Sequence, residues 1–454
     1  MRKILTLTIL AIASNLIFAQ VNPKKCITNR ITLEALKKNP EYALMRQNLI
    51  SYHQENKSDN NKQSIITIPI VVHVVHRNSH ANIGSGTNIS NEQIEDQLRI
   101  LNEDYSKTNP EFPNPPRSTF INYAGNPQLK FCLATIDPDG NSTTGITRTP
   151  TSKTSWDADD NNESNFMKLT SQGGIDNWDP LKYLNVWVCN LTNSGGGQTL
   201  GYAYLPGLQG NNNQSWKDGL VVDYQFFGTT GGASSSSDGR TATHEIGHYL
   251  GLNHTFSEEN WPSFSCLDNN GNTICCDRDA GNVDDTPATD GIYWGNVNSN
   301  TNNNTCNDLN YGFSNNLLDM DENYMSYALN TWMFSEGQVD AIIGTLNAST
   351  NQGGRRDLWQ NSTVTVNCSG SVGINDNPQS SLYIYPNPSK GNLFISSSSP
   401  YNSISIYNII GKEVISNAKI NNNLLDISQL RNGVYFIHIS TDKNIITKKI
   451  ILSK

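Results

Sequence analysis

The sequence predicts an α/β unit with an irregular second half, followed by a small all-β sandwich. Three observations predict this order. Dense β-branched runs alternate with amphipathic segments before residue 257. Residues 257–322 are rich in Asn, Asp and Gly and show little periodicity. From Leu382, short alternating strands are separated by glycine-containing turns. At 454 residues the chain is long enough for two or three domains.

Composition and charge restrict the class of function. The net charge of −9 argues against nucleic acid and anionic membranes as partners. No apolar run of about 20 residues follows the N-terminus, so we expect no transmembrane segment. The cationic start Met1–Lys3 and the apolar run Ile4–Phe18 predict a signal peptide over residues 1–19. Export would permit disulfides.

The first part of the mature chain carries strand and helix patterns. Residues 65–76 predict a buried first strand, on which His73 and His76 point to opposite faces and are structural. Ser90 can cap a helix, with Gln93 three residues on. Further strands are predicted at Leu129–Ile136, Tyr183–Val188 and Asp218–Val222, and a closing helix at Phe334–Leu346.

A cluster of histidines lies at residues 244–254. His244 and His248 are four residues apart, so on a helix both imidazoles project from one face, with Glu245 beside them. Gly251 can end the helix in a positive-φ turn, which would bring His254 back as a third nitrogen ligand. Three neutral imidazoles with one open position make a catalytic zinc site.

The longer pattern H-E-x-x-H-x-x-G-x-x-H requires a methionine-containing turn downstream, and Asn323–Tyr327 supplies one. With the run Asp285–Ala288, these residues resemble the pappalysin family of metzincin proteases, in its small bacterial ulilysin-like branch. The resemblance covers residues 64–360. It implies an α/β metzincin catalytic domain, with a twisted mixed sheet, an active-site helix and an irregular lower subdomain.

The resemblance implies further roles. Met325 would form the hydrophobic floor under the zinc, and Tyr327 would hydrogen-bond the developing oxyanion. The run Leu200–Gly207 would be the edge strand bordering the cleft, where an extended peptide can pair. Basic-specific relatives carry acidic residues just past the methionine turn, where this chain has Ala328–Trp332. We therefore expect no strong selectivity for Lys or Arg.

These features together predict a secreted zinc-dependent endopeptidase that cleaves protein and peptide substrates. A zinc-bound water would attack the peptide bond, with Glu245 as general base. The alternative is a non-catalytic secreted binding or adhesion protein with a structural zinc site.

Residues 20–63 are interpreted as a prosegment, with helical composition from Leu33 to Tyr52 and a polar linker over Glu55–Lys62. In ulilysin-like enzymes a prosegment cysteine occupies the open zinc position, so the resemblance makes Cys26 the latency ligand. Thiolate–zinc bonding makes that role chemically sound. An incidental exported cysteine is the alternative.

Four of the other cysteines cluster after the histidine motif: Cys266, Cys275, Cys276 and Cys306. We expect two disulfides that brace an irregular loop, with the pairing left open; a second, structural zinc is the alternative. Cys132 and Cys189 lie in apolar strand-like runs and are expected to be buried thiols.

Oxygen ligands lie close together in the same region, and calcium prefers such ligands. Family members bind calcium around the Asp-Thr-Pro run, so the resemblance implies a calcium site at Asp285 and Thr286. Asp279 and Asp284 add further carboxylates. A solvated acidic loop is the alternative.

Residues 361–380 are predicted to be a linker and residues 381–454 a second domain. Tyr385–Pro388, Gly391, Gly411–Lys412 and Gly433–Tyr435 resemble the C-terminal sorting domain of the type IX secretion system. The resemblance implies that the secretion machinery is a partner and that the protein is secreted or held at the cell surface. A carbohydrate-binding module, the alternative, would need exposed aromatic residues on one face.

Overall fold

The chain divides into two compact units, Met1–Gly370 and Ser371–Lys454. The computed structural model describes residues 26–56, 65–209, 213–256 and 283–360. After these it describes residues 364, 366–368, 382–385, 389–397, 402–408, 411–416, 418, 420–421, 424–440 and 445–454. The predicted signal peptide, most of the predicted linker, and Cys266, Cys275, Cys276 and Asp279 lie outside these residues.

Two helices, α1 (Thr28–Lys38) and α2 (Pro40–Glu55), precede the sheet. The sequence predicted helical composition from Leu33 to Tyr52, and the structure divides this stretch at Asn39. Pro40 lacks a backbone N–H and therefore suits only the first turn of a new helix. The Asn39 side chain caps that helix by accepting the N–H of Tyr42 at 3.2 Å.

A seven-stranded sheet forms the centre of the first unit, with β1 (Ile66–Arg77) in its middle. The other strands of this unit are β2 (Leu129–Ala134), β3 (Ile146–Thr151), β4 (Trp156–Asp157), β5 (Leu184–Cys189), β6 (Leu191–Thr192), β7 (Gly201–Ala203), β8 (Leu220–Asp223) and β9 (Val366–Asn367). The strand order is β7-β8-β5-β1-β2-β9, and β3 pairs with the second half of β1.

The sheet is mixed, as the family resemblance implied. Strand β1 runs parallel to β2, β3 and β5, and β5 runs parallel to β8. The short strand β7 pairs antiparallel with β8 and lies at one edge, and β9 pairs antiparallel with β2 at the other.

Both faces of the sheet are buried. One apolar cluster joins alternate β1 residues to α3 (Asn91–Asp104), α4 (Arg240–Tyr249) and α5 (Glu336–Asn347). A second cluster contains Trp187 and Tyr202 from the sheet together with Ile31 and Tyr42 from the two N-terminal helices. The N-terminal helices therefore complete a core rather than lie loosely on the surface.

Local capping agrees with the sequence. The Ser90 hydroxyl accepts the N–H of Gln93 at 3.2 Å, as predicted for the start of α3. Helix α5 begins with a capping box between Ser335 and Gln338. A last helix, α6 (Arg356–Gln360), follows it.

The second unit is all-β. One sheet contains β10 (Leu382–Tyr385), β11 (Asn392–Ser397), β14 (Ile420–Asn421) and β15 (Leu424–Asp426). The other contains β12 (Ser403–Asn408), β13 (Glu413–Ile415), β16 (Gly433–Ser440) and β17 (Ile445–Leu452). All their pairings are antiparallel, and residues such as Leu393 and Ile437 from the two sheets share one core. This is the predicted sandwich. Among the described residues, no helix is long and apolar enough to cross a membrane.

Candidate metal centre and cleft

Helix α4 carries the first two histidines of the motif and ends where the sequence predicted. The Leu252 N–H donates to the Gly247 carbonyl at 3.0 Å, and Gly251 adopts a φ of +104°. That left-handed residue closes the helix in a Schellman-type turn, which a residue with a Cβ would strain. The turn redirects the chain so that His254 lies back against the helix.

The turn brings the three imidazoles together. The Nε2 atom of His254 lies 3.1 Å from Nε2 of His244 and 3.1 Å from Nε2 of His248. The Nδ1–H groups of His244 and His248 donate to the carbonyls of Tyr324 and Leu252, at 2.7 and 2.8 Å. Those bonds fix the tautomer that turns each lone pair on Nε2 inward. Burial and the neighbouring imidazoles lower the pKa of His248 well below its usual value, which keeps the ring neutral.

These residues fit a zinc ion. Tetrahedral zinc with bonds of about 2.0–2.1 Å places its nitrogen ligands about 3.3 Å apart, close to the spacing found here. Cys26 completes the group, since its Sγ and the three imidazole nitrogens all lie within 4.8 Å of one another. The structure thus offers three nitrogens and one sulfur around a single point.

Cys26 reaches this point because its segment lies along the sheet edge. It forms a parallel bridge with Gly201 of β7, and its carbonyl accepts a hydrogen bond from the Tyr327 hydroxyl at 3.4 Å. The next turn is fixed by the Thr28 hydroxyl, which accepts the Ala203 N–H at 3.0 Å. The N-terminal segment therefore lies along β7 at the edge of the sheet.

Glu245 lies beside the metal centre and is 1% exposed. Its Oε2 accepts hydrogen bonds from the Thr28 hydroxyl at 3.3 Å and the Cys26 thiol at 3.5 Å. Burial raises the pKa of Glu245 to about 8, although these two hydrogen bonds act in the opposite direction. The carboxyl is thus covered by the same segment that places Cys26 at the centre.

The methionine turn packs directly beneath α4. Met325 is fully buried, and a Cβ added at Gly247 would overlap its Sδ. The glycine between the two helical histidines therefore permits the close approach. The turn is held by Asn323, whose side chain exchanges hydrogen bonds with the Gln338 side chain at 2.7 and 3.1 Å. The histidine pattern alone gave no signal for this amide pair.

Tyr327 stands over the centre from the other side. Its ring centroid is 5.6 Å from that of His244 and 5.0 Å from that of His254. Since its hydroxyl already donates to a backbone carbonyl, that of Cys26, the phenol lies where a peptide carbonyl can be bound.

A cavity of about 220 Å³ opens beside Glu245. Leu200, Phe226, Tyr327 and Arg240 are among its lining residues. The Arg240 side chain, 11% exposed, donates two hydrogen bonds to the Glu111 carboxylate at 2.7 and 2.9 Å. The cavity is thus partly apolar, and its wall carries an acidic side chain, Asp238, as well as the ion-paired Arg240.

The predicted calcium residues lie elsewhere in the first unit. The Asp285 carboxylate accepts hydrogen bonds from the Ser335 hydroxyl at 2.6 Å and the Gly337 N–H at 2.8 Å, so it caps the start of α5. Burial raises the pKa of Asp285. Thr286, the next residue in the chain, is buried, with 2% of its surface exposed. Calcium binding here stays a prediction.

The cysteines divide into three cases. Cys306 is disulfide-bonded, and the other three cysteines of its predicted cluster lie outside the described residues. Cys189 is the buried thiol that was predicted. The same prediction for Cys132 is wrong, because it forms a disulfide with Cys368. Pairing of β9 with β2 brings Cys368 alongside, with the two Cα atoms 4.5 Å apart.

Comparisons with known proteins agree with this geometry. Residues 170–347 match the family described as Pregnancy-associated plasma protein-A, and residues 383–453 match a secretion system C-terminal sorting domain. Mature mirolysin from Tannerella forsythia, solved with a cleaved peptide, is 35% identical. That match covers 66% of this chain and 97% of that one, with a TM-score of 0.52. A promirolysin variant from the same organism is 32% identical, over 74% and 97% of the two chains, with a TM-score of 0.57.

Curated relatives point the same way. An extracellular metalloprotease of Arthroderma gypseum is 25% identical over 63% of this chain and 74% of its own length. One from Coccidioides posadasii is 31% identical over 37% of this chain and 46% of its own length. The sorting domain and these relatives make the protein secreted or cell-surface located, and the promirolysin match makes it a zymogen. The chain belongs to the pregnancy-associated plasma protein-A, or pappalysin, family of metalloproteases.

Proposed function

We propose that the protein is a zinc endopeptidase in which His244, His248 and His254 hold the metal and Glu245 is the general base. One observation carries the proposal: the Nε2 atom of His254 lies 3.1 Å from the Nε2 atoms of both His244 and His248, and a buried carboxyl lies beside these three nitrogens. The fourth corner holds a thiol of the N-terminal segment, so a position for substrate opens when that segment leaves.

The chemistry divides between the metal and the chain. When bound, zinc supplies a Lewis acid that activates water and polarises the peptide carbonyl. Glu245 Oε2 takes a proton from the attacking water and passes it to the leaving amine nitrogen. The Tyr327 hydroxyl donates to the oxygen on which negative charge develops, as it does to the Cys26 carbonyl in the zymogen.

Substrate binding uses the free edge of the sheet. Strand β7 offers its backbone to an extended chain, and the Ala203 N–H, held by Thr28 in the zymogen, becomes available to a peptide carbonyl. Backbone pairing of this kind places the scissile bond over the metal with little dependence on side chains. Protein and peptide substrates of broad sequence follow from it.

Latency rests on Cys26. Its thiolate is a good zinc ligand and takes the corner that the reacting groups need. Export through the type IX secretion machinery, by means of the sorting domain, supplies the compartment in which the prosegment is removed.

Casein digestion by the secreted protein, processed and unprocessed, tests the proposal. Glu245→Gln should bind zinc as the wild type does and lose about 10²–10⁴-fold of the rate. Unprocessed Cys26→Ser should digest casein faster than the unprocessed wild type, although more slowly than the processed enzyme, and a chelator should stop digestion in every active sample. Full activity of Glu245→Gln would refute the role of the base. An inactive processed wild type with bound zinc would favour a non-catalytic binding protein.

A further inference from the structure

The N-terminal segment has a second attachment to the first unit, well along the sequence from Cys26. Tyr42 of α2 is fully buried, and its hydroxyl donates to the Leu205 carbonyl at 2.9 Å. Its ring lies against Gly207, whose φ is +117° and where an added Cβ would come within 3.2 Å of the ring. The Tyr42 ring thus occupies space that a side chain at position 207 would otherwise take.

Two more glycines receive the same helix. A Cβ added at Gly344 of α5 would come within 2.8 Å of the His53 ring, and one at Gly353 would overlap the Met45 carbonyl. We call Gly207, Gly344 and Gly353 the α2 footprint. At these three glycines α2 packs directly against backbone that has no side chain, so the surface is complementary in shape to the helix.

The burial of α2 follows the footprint. Leu49 is 2% exposed and His53 6%, and the His53 ring lies 3.4 Å from the Thr345 hydroxyl. On the outer side of the same helix, Leu44 is 52% exposed. None of the docked residues is a member of the metal centre. Fully buried tyrosines set in pockets of this kind carry a large share of binding energy at interfaces.

We propose that the α2 footprint binds the prosegment independently of the contact between Cys26 and the metal. A prosegment cut between Asn56 and Ile65 then stays bound, with residues 26–31 still across the cleft, as a non-covalent inhibitor. Latency ends only after a further cut within the prosegment or its dissociation on dilution. This extends the latency role given above, and a metal-free measurement separates the two.

The test uses the full chain with a site-specific protease sequence inserted between Asn56 and Ile65, in a Glu245→Gln background. After cutting, size-exclusion chromatography at micromolar concentration measures whether the prosegment co-elutes. Co-elution should persist with chelator and in Cys26→Ser. Tyr42→Ala should weaken retention about 100-fold. Tyr42→Phe, which loses only the hydrogen bond to Leu205, should weaken it about 3–10-fold.

Leu44→Ala is the matched control on the exposed side of the helix and should retain the prosegment fully. Gly344→Ala is a second variant that keeps α5 helical while crowding His53, and it too should release the prosegment. The uncut variants should elute as the uncut parent does. Loss of the prosegment from the cut parent on adding chelator, or full retention by both Tyr42→Ala and Gly344→Ala, would overturn the proposal.

Discussion

Gly247→Ala tests how the methionine turn supports the metal-binding helix. On an unconstrained helix, alanine in place of glycine stabilises by about 0.8–1 kcal/mol. Here the new methyl would overlap Met325 Sδ and come within 3.3 Å of its Cε, and Met325 is fully buried. Overpacking of this kind costs about 1–3 kcal/mol. The two effects together give a net destabilisation of up to about 2 kcal/mol rather than a gain.

The measurement is urea unfolding of the full chain, with zinc affinity followed in parallel. The double variant Gly247→Ala/Met325→Ala should show a favourable coupling of about 1–2 kcal/mol, because the truncated side chain no longer meets the methyl. If Gly247→Ala raised the free energy of unfolding by the full gain in helix propensity, the methyl group would not be in steric conflict with Met325.

Three other predictions concern the stability contributed by two buried side chains and the range of substrates. Burial lowers the pKa of His73 to about 4, from about 6.5 in the unfolded chain. The stability that the neutral His73 ring contributes is therefore complete above pH 6.5 and is lost as the pH falls. We expect the free energy of unfolding to drop by about 2 kcal/mol at pH 5. Denaturant titrations at a series of pH values should show this drop in the free energy of unfolding, and His73→Gln should make that free energy less dependent on pH. Arg355→Met should cost about 3–5 kcal/mol in urea unfolding, since Asp218, which accepts two of the guanidinium hydrogen bonds at 2.8 Å, would be left buried without them; a cost below about 1 kcal/mol would contradict this. A peptide library cleaved by the activated enzyme should show no strong enrichment of Lys or Arg, because residues 328–332, just past the methionine turn, carry no carboxylate; a cleavage profile dominated by basic residues would refute it.

The cluster of three imidazoles could be predicted from sequence because its parts are local. Helical spacing places His244 and His248 on one face, and a glycine at 251 permits the turn that returns His254. The individual strands were predictable for the same reason, since strand alternation is a short-range pattern. The mixed pairing of the first sheet was implied only by the family resemblance.

Features that depend on distant partners were not predictable. The disulfide between Cys132 and Cys368 joins residues 236 positions apart, and it depends on a two-residue strand inside a stretch that resembles a linker. The docking of α2 likewise depends on glycines far along the chain, where the sequence gives no sign of what fills the space. The break at Asn39, by contrast, could have been predicted from the Asn-Pro pair, which the helical composition of the stretch did not take into account.

The central claim is that three imidazoles and the Cys26 thiolate surround one metal ion in the zymogen. Absorption spectroscopy of the full chain loaded with one equivalent of Co²⁺ tests it most directly. The account predicts a tetrahedral cobalt spectrum with a sulfur-to-metal charge-transfer band, and Cys26→Ser should abolish that band while the metal stays bound. Failure to bind cobalt stoichiometrically, or a sulfur band that survives Cys26→Ser, would contradict it.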